Sequence, residues 1–410
     1  MKQTFFVTGF LFFILLGYHT LSEANARNPL IVKVSDIIGT VFLADAVSEK
    51  DLHTRYRLAN EGKRKIRILI VPGHTPENPG TSYHSLPEWE LTIKTALLLK
   101  RYLEADRLFE VSITQDTKGF TEAFRNYFEK ERENIVDFIN QKKSTMAYLM
   151  NRGVVNENQT VDHISVTQNI ALELYGINRW ANEHDIDIVL HLHFNDYPGR
   201  YKDSSPQHSG FSLYVPEKQY SNFKASRAIA SYLFMSLNEY YPTSDLPLEK
   251  DIIIEDQDLI AIGAFNTLQS AVTLIEYGYI YEPQFVYKET QLPALADLAY
   301  QTYRGLKHYF EEDIHTTLPS TTHLPYTWKK NLRLGDKGKK DVLALQIYLT
   351  SEGLYPPTGK SRNDCPISGI FGVCTKTSLQ EFQHERGIMP PSGYFGPQTR
   401  SVINVTEREE

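Results

Sequence analysis

Cysteine is scarce in this chain: two residues, Cys365 and Cys374, in 410. A basic excess is missing as well, since 43 Lys and Arg face 50 Asp and Glu for a net charge of −7. That balance excludes the electrostatic footprint of a nucleic-acid-binding protein. Beyond the N-terminus no apolar run is long enough to cross a bilayer, which excludes a polytopic membrane protein. What remains, 41% hydrophobic and 23% charged residues with 23 Gly and 20 Pro, is globular composition rather than disordered or collagen-like. At roughly 100–200 residues per domain, two or three folded units are expected.

The apolar run Phe5 to Leu16 follows Met1-Lys2-Gln3-Thr4 and is too short to span a bilayer with ease. Ala24-Asn25-Ala26 supplies the small-x-small pattern that a signal peptidase cleaves, so residues 1–26 read as an export signal, with an uncleaved anchor as the alternative. No cysteine lies near Ala26 to carry a lipid. The expectation is a protein that is periplasmic, secreted or wall-associated, with no integral membrane association once the signal is cleaved. In such a compartment the neighbouring Cys365 and Cys374 favour a small local disulfide over a metal pair or a nucleophile. Two free thiols are the alternative, because a short loop can hold the Cα atoms too far apart.

Residues 27–65 have no assigned role, although Leu30 to Val47 looks β-rich. Ile66 to Val71 is apolar nearly throughout, as a strand buried on both faces is, and ends at Pro72-Gly73. A helix over Leu86 to Leu103 follows. The alternation continues with strands at Phe109–Thr114, Ile186–Phe194, Gly210–Val215 and Ala271–Tyr277, and with helical segments up to Glu183, over Ser221–Tyr240 and over Ala294–Phe310. This predicts an α/β fold, a twisted, mostly parallel sheet covered by helices, with functional groups beyond the carboxyl ends of the strands. The unit spans 66–310, a linker 311–328 and a second domain 329–405. Within that domain Gly369–Thr375 and Gly393–Thr399 both read Gly-x-Phe-Gly-x-x-Thr, which predicts a small helical domain with two similar turns.

With 13 histidines, position has to choose among them. His74 stands just past the first strand, while His191 and His193 stand near the end of another and share a face by alternation. Glu276 follows the apolar Val272-Thr273-Leu274-Ile275, where an acid is costly to bury unless paired, hydrogen-bonded or near a metal. Glu88 has a bland reading: three residues after Ser85, it fits a capping box. It also completes, with His74 and His193, a His₂Glu set of the kind that holds one catalytic Zn²⁺ ion with a position left open. Zinc so held would activate water and polarise a carbonyl, leaving Glu276 to carry the proton; such a site hydrolyses amides.

Several segments together resemble the zinc-dependent N-acetylmuramoyl-L-alanine amidases. They are Ile68 to His74, Pro79-Gly80, Glu88 with Leu91-Thr92-Ile93, Arg179-Trp180-Ala181-Asn182 leading into Asp187 to Asn195, and Leu274 to Ile280. The resemblance implies His74, Glu88 and His193 as zinc ligands, preferring Glu88 to Glu90, with Glu276 as the catalytic acid/base. It implies a sheet of about six strands and cleavage of the amide joining N-acetylmuramic acid to L-alanine. His191 stands where the family has Ser and reads either as a group supporting the metal site from behind or as a competing ligand, and Asn195 is a further candidate to support the site. An insertion over roughly 117–162 reads as a lid, a site for a regulatory partner or, foremost, solvated helix.

Residues 329–405 resemble the three-helix peptidoglycan-binding domain of wall hydrolases, through Leu332 to Gly338, Leu345-Gln346, Gly369 to Thr375 and Phe382-Gln383. Peptidoglycan is therefore the expected substrate and anchor. The rival readings are a zinc peptidase cutting within the stem or cross-bridge, and a catalytically silent wall-binding regulator.

Overall fold

The computed structural model describes residues 46–158, 167–201, 207–311 and 322–409. The export signal, most of the β-rich segment before Val47 and most of the linker lie outside the described residues. Within them no helix is long and apolar enough to cross a membrane.

Along the chain the main elements are α1 (Glu49–Asn60), β1 (Ile66–Pro72), α2 (Glu88–Ala105), β2 (Phe109–Ile113), α3 (Glu122–Lys130), α4 (Arg132–Asn151) and α5 (Gln168–Glu183). They continue with β3 (Ile188–Asn195), β4 (Ser212–Pro216), α6 (Phe223–Asn238), β5 (Ile253–Asp256), β6 (Ala271–Tyr279) and α7 (Lys288–Glu311). The sheet order is β2-β1-β3-β6-β4-β5. The first four strands run parallel; β4 pairs antiparallel with β6, and β5 follows β4 in parallel. The short edge strand β5, which ends in Glu255-Asp256, escapes a hydrophobicity reading because half its residues are acidic.

Alternation along the strands divides the core. Ile68 and Ile70 of β1, Leu190 and Leu192 of β3 and Ile275 of β6 join the layer that includes apolar residues of α2, α6 and α7. Leu69, Val71, Val189, Val272 and Leu274 face the layer containing α5. The insertion is not merely solvated surface. Its α3 and α4 bury Phe124, Phe128 and Ile135 in this second layer, and Gly176 of α5 lets them close: a Cβ there would stand 3.0 Å from the side chains of Ile135 and Phe128.

The described part of the unassigned stretch, residues 46–65, joins the sheet domain. Tyr56 of α1 stacks on Phe310 at 4.5 Å, and its hydroxyl donates to Glu311 Oε1 at 2.8 Å. Fully buried Asp187 accepts the Arg67 N–H at 2.8 Å and pairs with Arg55 and Arg64, tying α1 to the start of β3.

The second domain comprises α8 (Lys340–Ser351), α9 (Val373–Glu385) and α10 (Pro397–Glu409). Its internal repeat has a physical cause. Gln346 accepts the N–H groups of Ser368 and Gly369 and donates to Thr375 Oγ1 at 3.0 Å. Gln383 does the same for the second turn, accepting from Gly393 and donating to Thr399 Oγ1 at 2.9 Å. Gly369 and Gly393 both adopt positive φ, 71° and 69°, which favours glycine. Cys365 and Cys374 are bonded to each other, with Cα atoms 6.0 Å apart. This domain packs on the sheet domain: Arg362 Nε donates to the Glu239 carbonyl at 3.0 Å, and Gly369 lies against Thr290.

Candidate metal centre

The carboxyl ends of β1 and β3 and the start of α2 meet at one point. Glu88 is not a capping-box partner of Ser85. Ser85 takes a left-handed φ of 65°, Pro87 is the residue that precedes the helix, and Glu88 is its first residue. The first-turn amides are satisfied by backbone instead: Glu88 N–H donates to the Thr81 carbonyl at 2.9 Å and Trp89 N–H to that of Pro79 at 3.2 Å. With capping handled by the loop, the Glu88 side chain is free to turn inward, where it is 4% exposed.

There Glu88 Oε2 lies 3.1 Å from His74 Nε2 and Oε1 lies 3.0 Å from His193 Nδ1. The two imidazoles meet edge to face at 5.2 Å. Backbone donors anchor the carboxylate from behind, Phe194 N–H at 3.2 Å and Thr81 N–H at 3.3 Å. Glu90, the other acid in this turn, pairs with Lys94 at 3.2 Å instead. One ligand atom from each of His74, Glu88 and His193 lies within 4.8 Å of the others, the one such group among the described residues.

Close packing creates this point. A Cβ on Gly73 would stand 2.3 Å from His193 Cε1, and one on Gly80 would stand 2.5 Å from Glu88 Oε2 and 2.7 Å from His74 Cδ2. His74 itself adopts φ 65°, which turns it back over the strand end. Burial opposes ionisation of both partners, but the two histidines hold Glu88 down at about 2, and Glu88 raises His74 above its ordinary range.

Glu276 lies directly across from His193 in the parallel register of β6 and β3. Its Oε2 is buried without a hydrogen-bond partner. Burial, reinforced by the charges of Glu88 and Glu249, pushes its pKa well above the ordinary value. His191, two residues before His193, is buried outside the trio; burial and His193 drive its pKa down to about 3, so it stays neutral. Its Nε2 likewise has no partner. Asn195 turns away from the trio and donates to Glu249 Oε1 at 2.7 Å.

Glu249 is the residue that sequence reasoning missed. It sits on a one-turn 3₁₀ segment, Pro247–Glu249, yet is buried and also accepts from Tyr214 at 2.8 Å. No strand end or motif marks it; only the long return from α6 to β5 brings it beside Glu276.

A family model for N-acetylmuramoyl-L-alanine amidases matches residues 68–308, more than half of the chain. The chain belongs to this family. A model for a peptidoglycan-binding domain matches residues 338–403 of the amidase. Among solved structures, the N-acetylmuramoyl-L-alanine amidase from Clostridium difficile 630 is similar at 15% identity and TM-score 0.37, covering 61% of this chain and 98% of its own. AmiC2 of Nostoc punctiforme is similar at 15% identity and TM-score 0.38, over 60% and 97% of the two chains. Ami1 from Mycobacterium smegmatis gives 13%, 0.38, 60% and 98%. A search of curated proteins finds no match. The amidase is thus an amidohydrolase with peptidoglycan as both substrate and binding target.

Proposed function

We propose that this protein is an exported zinc enzyme that hydrolyses the amide between N-acetylmuramic acid and L-alanine, with His74, Glu88 and His193 as metal ligands and Glu276 as the general acid/base. The observation that carries it is the convergence of those three side chains beside Glu276. The donor set, two imidazoles and one carboxylate, suits Zn²⁺ and leaves a position for substrate. When bound, zinc supplies Lewis-acid polarisation of the scissile carbonyl.

The chain's own residues account for the rest. In the metal-free site Glu88 gathers both imidazoles around one carboxylate, held in place by the amides of Phe194 and Thr81, so the three donors stand ready for the ion. Gly73 and Gly80 leave room for this approach. Glu276, its carboxyl pKa raised, is suited to take a proton from the attacking water and return it to the departing amine of L-alanine. His191, uncharged, supports the site without adding a cation under it. The second domain holds the enzyme on the wall, and its packing against the sheet domain fixes the site relative to that anchor.

Mass spectrometry of products released from purified peptidoglycan tests this. Free stems beginning at L-alanine, lost on chelation and restored by zinc, are the expected result. Cleavage inside the stem would make the enzyme a peptidase; intact stems on a protein that still sediments with the wall would make it a silent binder.

A further inference from the structure

Beside the metal centre lies a cleft of about 520 Å³, within the size range of small-ligand sites, whose walls include Tyr83, His84, His208, Tyr281, Glu282 and Tyr287. A chain of contacts ties its walls to the site. Thr81, whose N–H holds Glu88, donates its hydroxyl to Asp196, and Asp196 follows the end of β3 that carries His193. Asp196 binds Arg200 at 2.6 and 2.7 Å, and the guanidinium lies over the rings of Tyr83 and Tyr281 at 5.7 and 5.6 Å. Tyr83 and Tyr281 meet edge to face at 5.9 Å. The far wall is Tyr287, which is 37% exposed and also touches the second domain, since a Cβ on Gly338 would stand 2.7 Å from its ring. The walls of the cleft are therefore tied to the metal site through Thr81, Asp196 and Arg200, and to the second domain through Tyr287.

Its chemistry selects among the parts of the substrate. Among the described residues the lining holds no lysine or arginine. Arg200 behind it is committed to Asp196, and Glu282 is committed to the N–H groups of Gly210 and Tyr279 at 2.9 and 2.8 Å. His208 at the rim pairs with Asp245 at 3.0 Å. Among the described residues an acidic stem peptide finds no lysine or arginine in this lining, and the one carboxylate there is that of Glu282. A sugar chain presents apolar ring faces to aromatic side chains and hydroxyl edges to Gln207, His208 and Ser209, which fits this lining.

We propose that the tyrosine-lined cleft is the glycan subsite of the amidase, binding saccharide units next to the muramic acid under attack and leading the strand toward the second domain. The assignment rests on the amidase reading. The test uses the full mature chain with defined muramoyl peptides carrying one, two or four sugar units and a tripeptide or pentapeptide stem. In the wild type, kcat/KM is expected to rise at least tenfold from one sugar to four. Tyr83→Ala and Tyr287→Ala are expected to reduce that ratio at least fivefold without changing the dependence on stem length. A wild type indifferent to glycan length overturns the proposal. So does a variant whose loss follows stem length, which would make the cleft a peptide subsite.

A second measurement separates failure of this proposal from failure of the amidase reading, and serves if the variants do not fold. The wild type is titrated with a peptide-free oligomer of alternating N-acetylglucosamine and N-acetylmuramic acid while assigned tyrosine ring resonances are followed by NMR. Shifts at Tyr83 and Tyr287 support the subsite even if no substrate is cut. Binding that leaves both rings unmoved, or no binding, overturns it.

Discussion

The carboxylate of Glu88 and the backbone amide of Phe194 are joined by a 3.2 Å hydrogen bond, so the acid that meets both histidines is fixed to the strand that carries one of them. Glu88→Ala should therefore do more than remove a ligand. It leaves the amides of Phe194 and Thr81 without that acceptor, and a buried unsatisfied donor costs about 1–3 kcal/mol. The variant should hold no stoichiometric zinc and should unfold at lower denaturant even when compared with metal-free wild type; metal analysis and urea titration check both.

Gly73→Ala should displace the His193 ring, which would otherwise lie 2.3 Å from the new Cβ. A fixed imidazole between strands cannot yield as a flexible chain end can. Zinc affinity, measured by competition with a chromophoric chelator, is expected to fall at least tenfold. An unchanged affinity would mean that His193 is not a ligand.

Glu276→Gln should reduce hydrolysis by about 10²–10⁴-fold, the range of a general acid/base, while zinc content and wall binding persist. Stability should move the other way. A carboxyl whose pKa in the folded state exceeds its unfolded value of 4.5 favours folding less and less as pH rises from 4.5 through the raised value. Glutamine removes that dependence, so the variant's thermal midpoint, relative to metal-free wild type, should gain most at the alkaline end.

Glu88 and His74 give the metal-free protein a window of their own. Glu88, lowered from 4.5 to about 2, contributes stability above pH 4.5 that is lost as pH falls toward 2. His74, raised above 6.5, contributes below pH 6.5 and loses that contribution as pH rises through its folded value. The pair should stabilise the metal-free protein most between these limits. Zinc requires neutral imidazole, so its affinity should fall as pH drops below the raised His74 value. Chelator competition across pH 5–9 reads the slope.

Ile135→Ala in the insertion should cost about 2–5 kcal/mol, because this fully buried side chain closes α4 against Gly176 of α5. Chemical denaturation measures it. A change under 0.5 kcal/mol would return the insertion to the status of a solvated attachment.

Much of this was legible in the chain. The nearly unbroken apolar run at Ile66–Val71, interrupted only by Arg67, and the alternation through His191 and His193 fixed strand identity and the shared face, because a period of two leaves no other choice for a half-polar strand end. The stretch of α3 and α4 misled in its emphasis: its many Glu, Lys and Asn residues read as solvated, yet Phe124, Phe128 and Ile135 seat it on the sheet domain, and Met146 and Leu149 of α4 are buried as well. Ser85 and Glu88 misled by spacing, since Thr81 and Pro79 cap α2 from the backbone and sequence carries no mark of that.

By itself the sequence determined which residues have the chemistry to bind a metal and carry a proton, and which strand ends present them, because residue type and local periodicity are properties of short segments. Tertiary structure alone decided the rest. The convergence of His74, Glu88 and His193, the placing of Glu249 near Glu276 and the gathering of Tyr83, Tyr281 and Tyr287 around one cleft all join segments far apart in the chain. Such distances are set by how parallel strands register and helices pack over them.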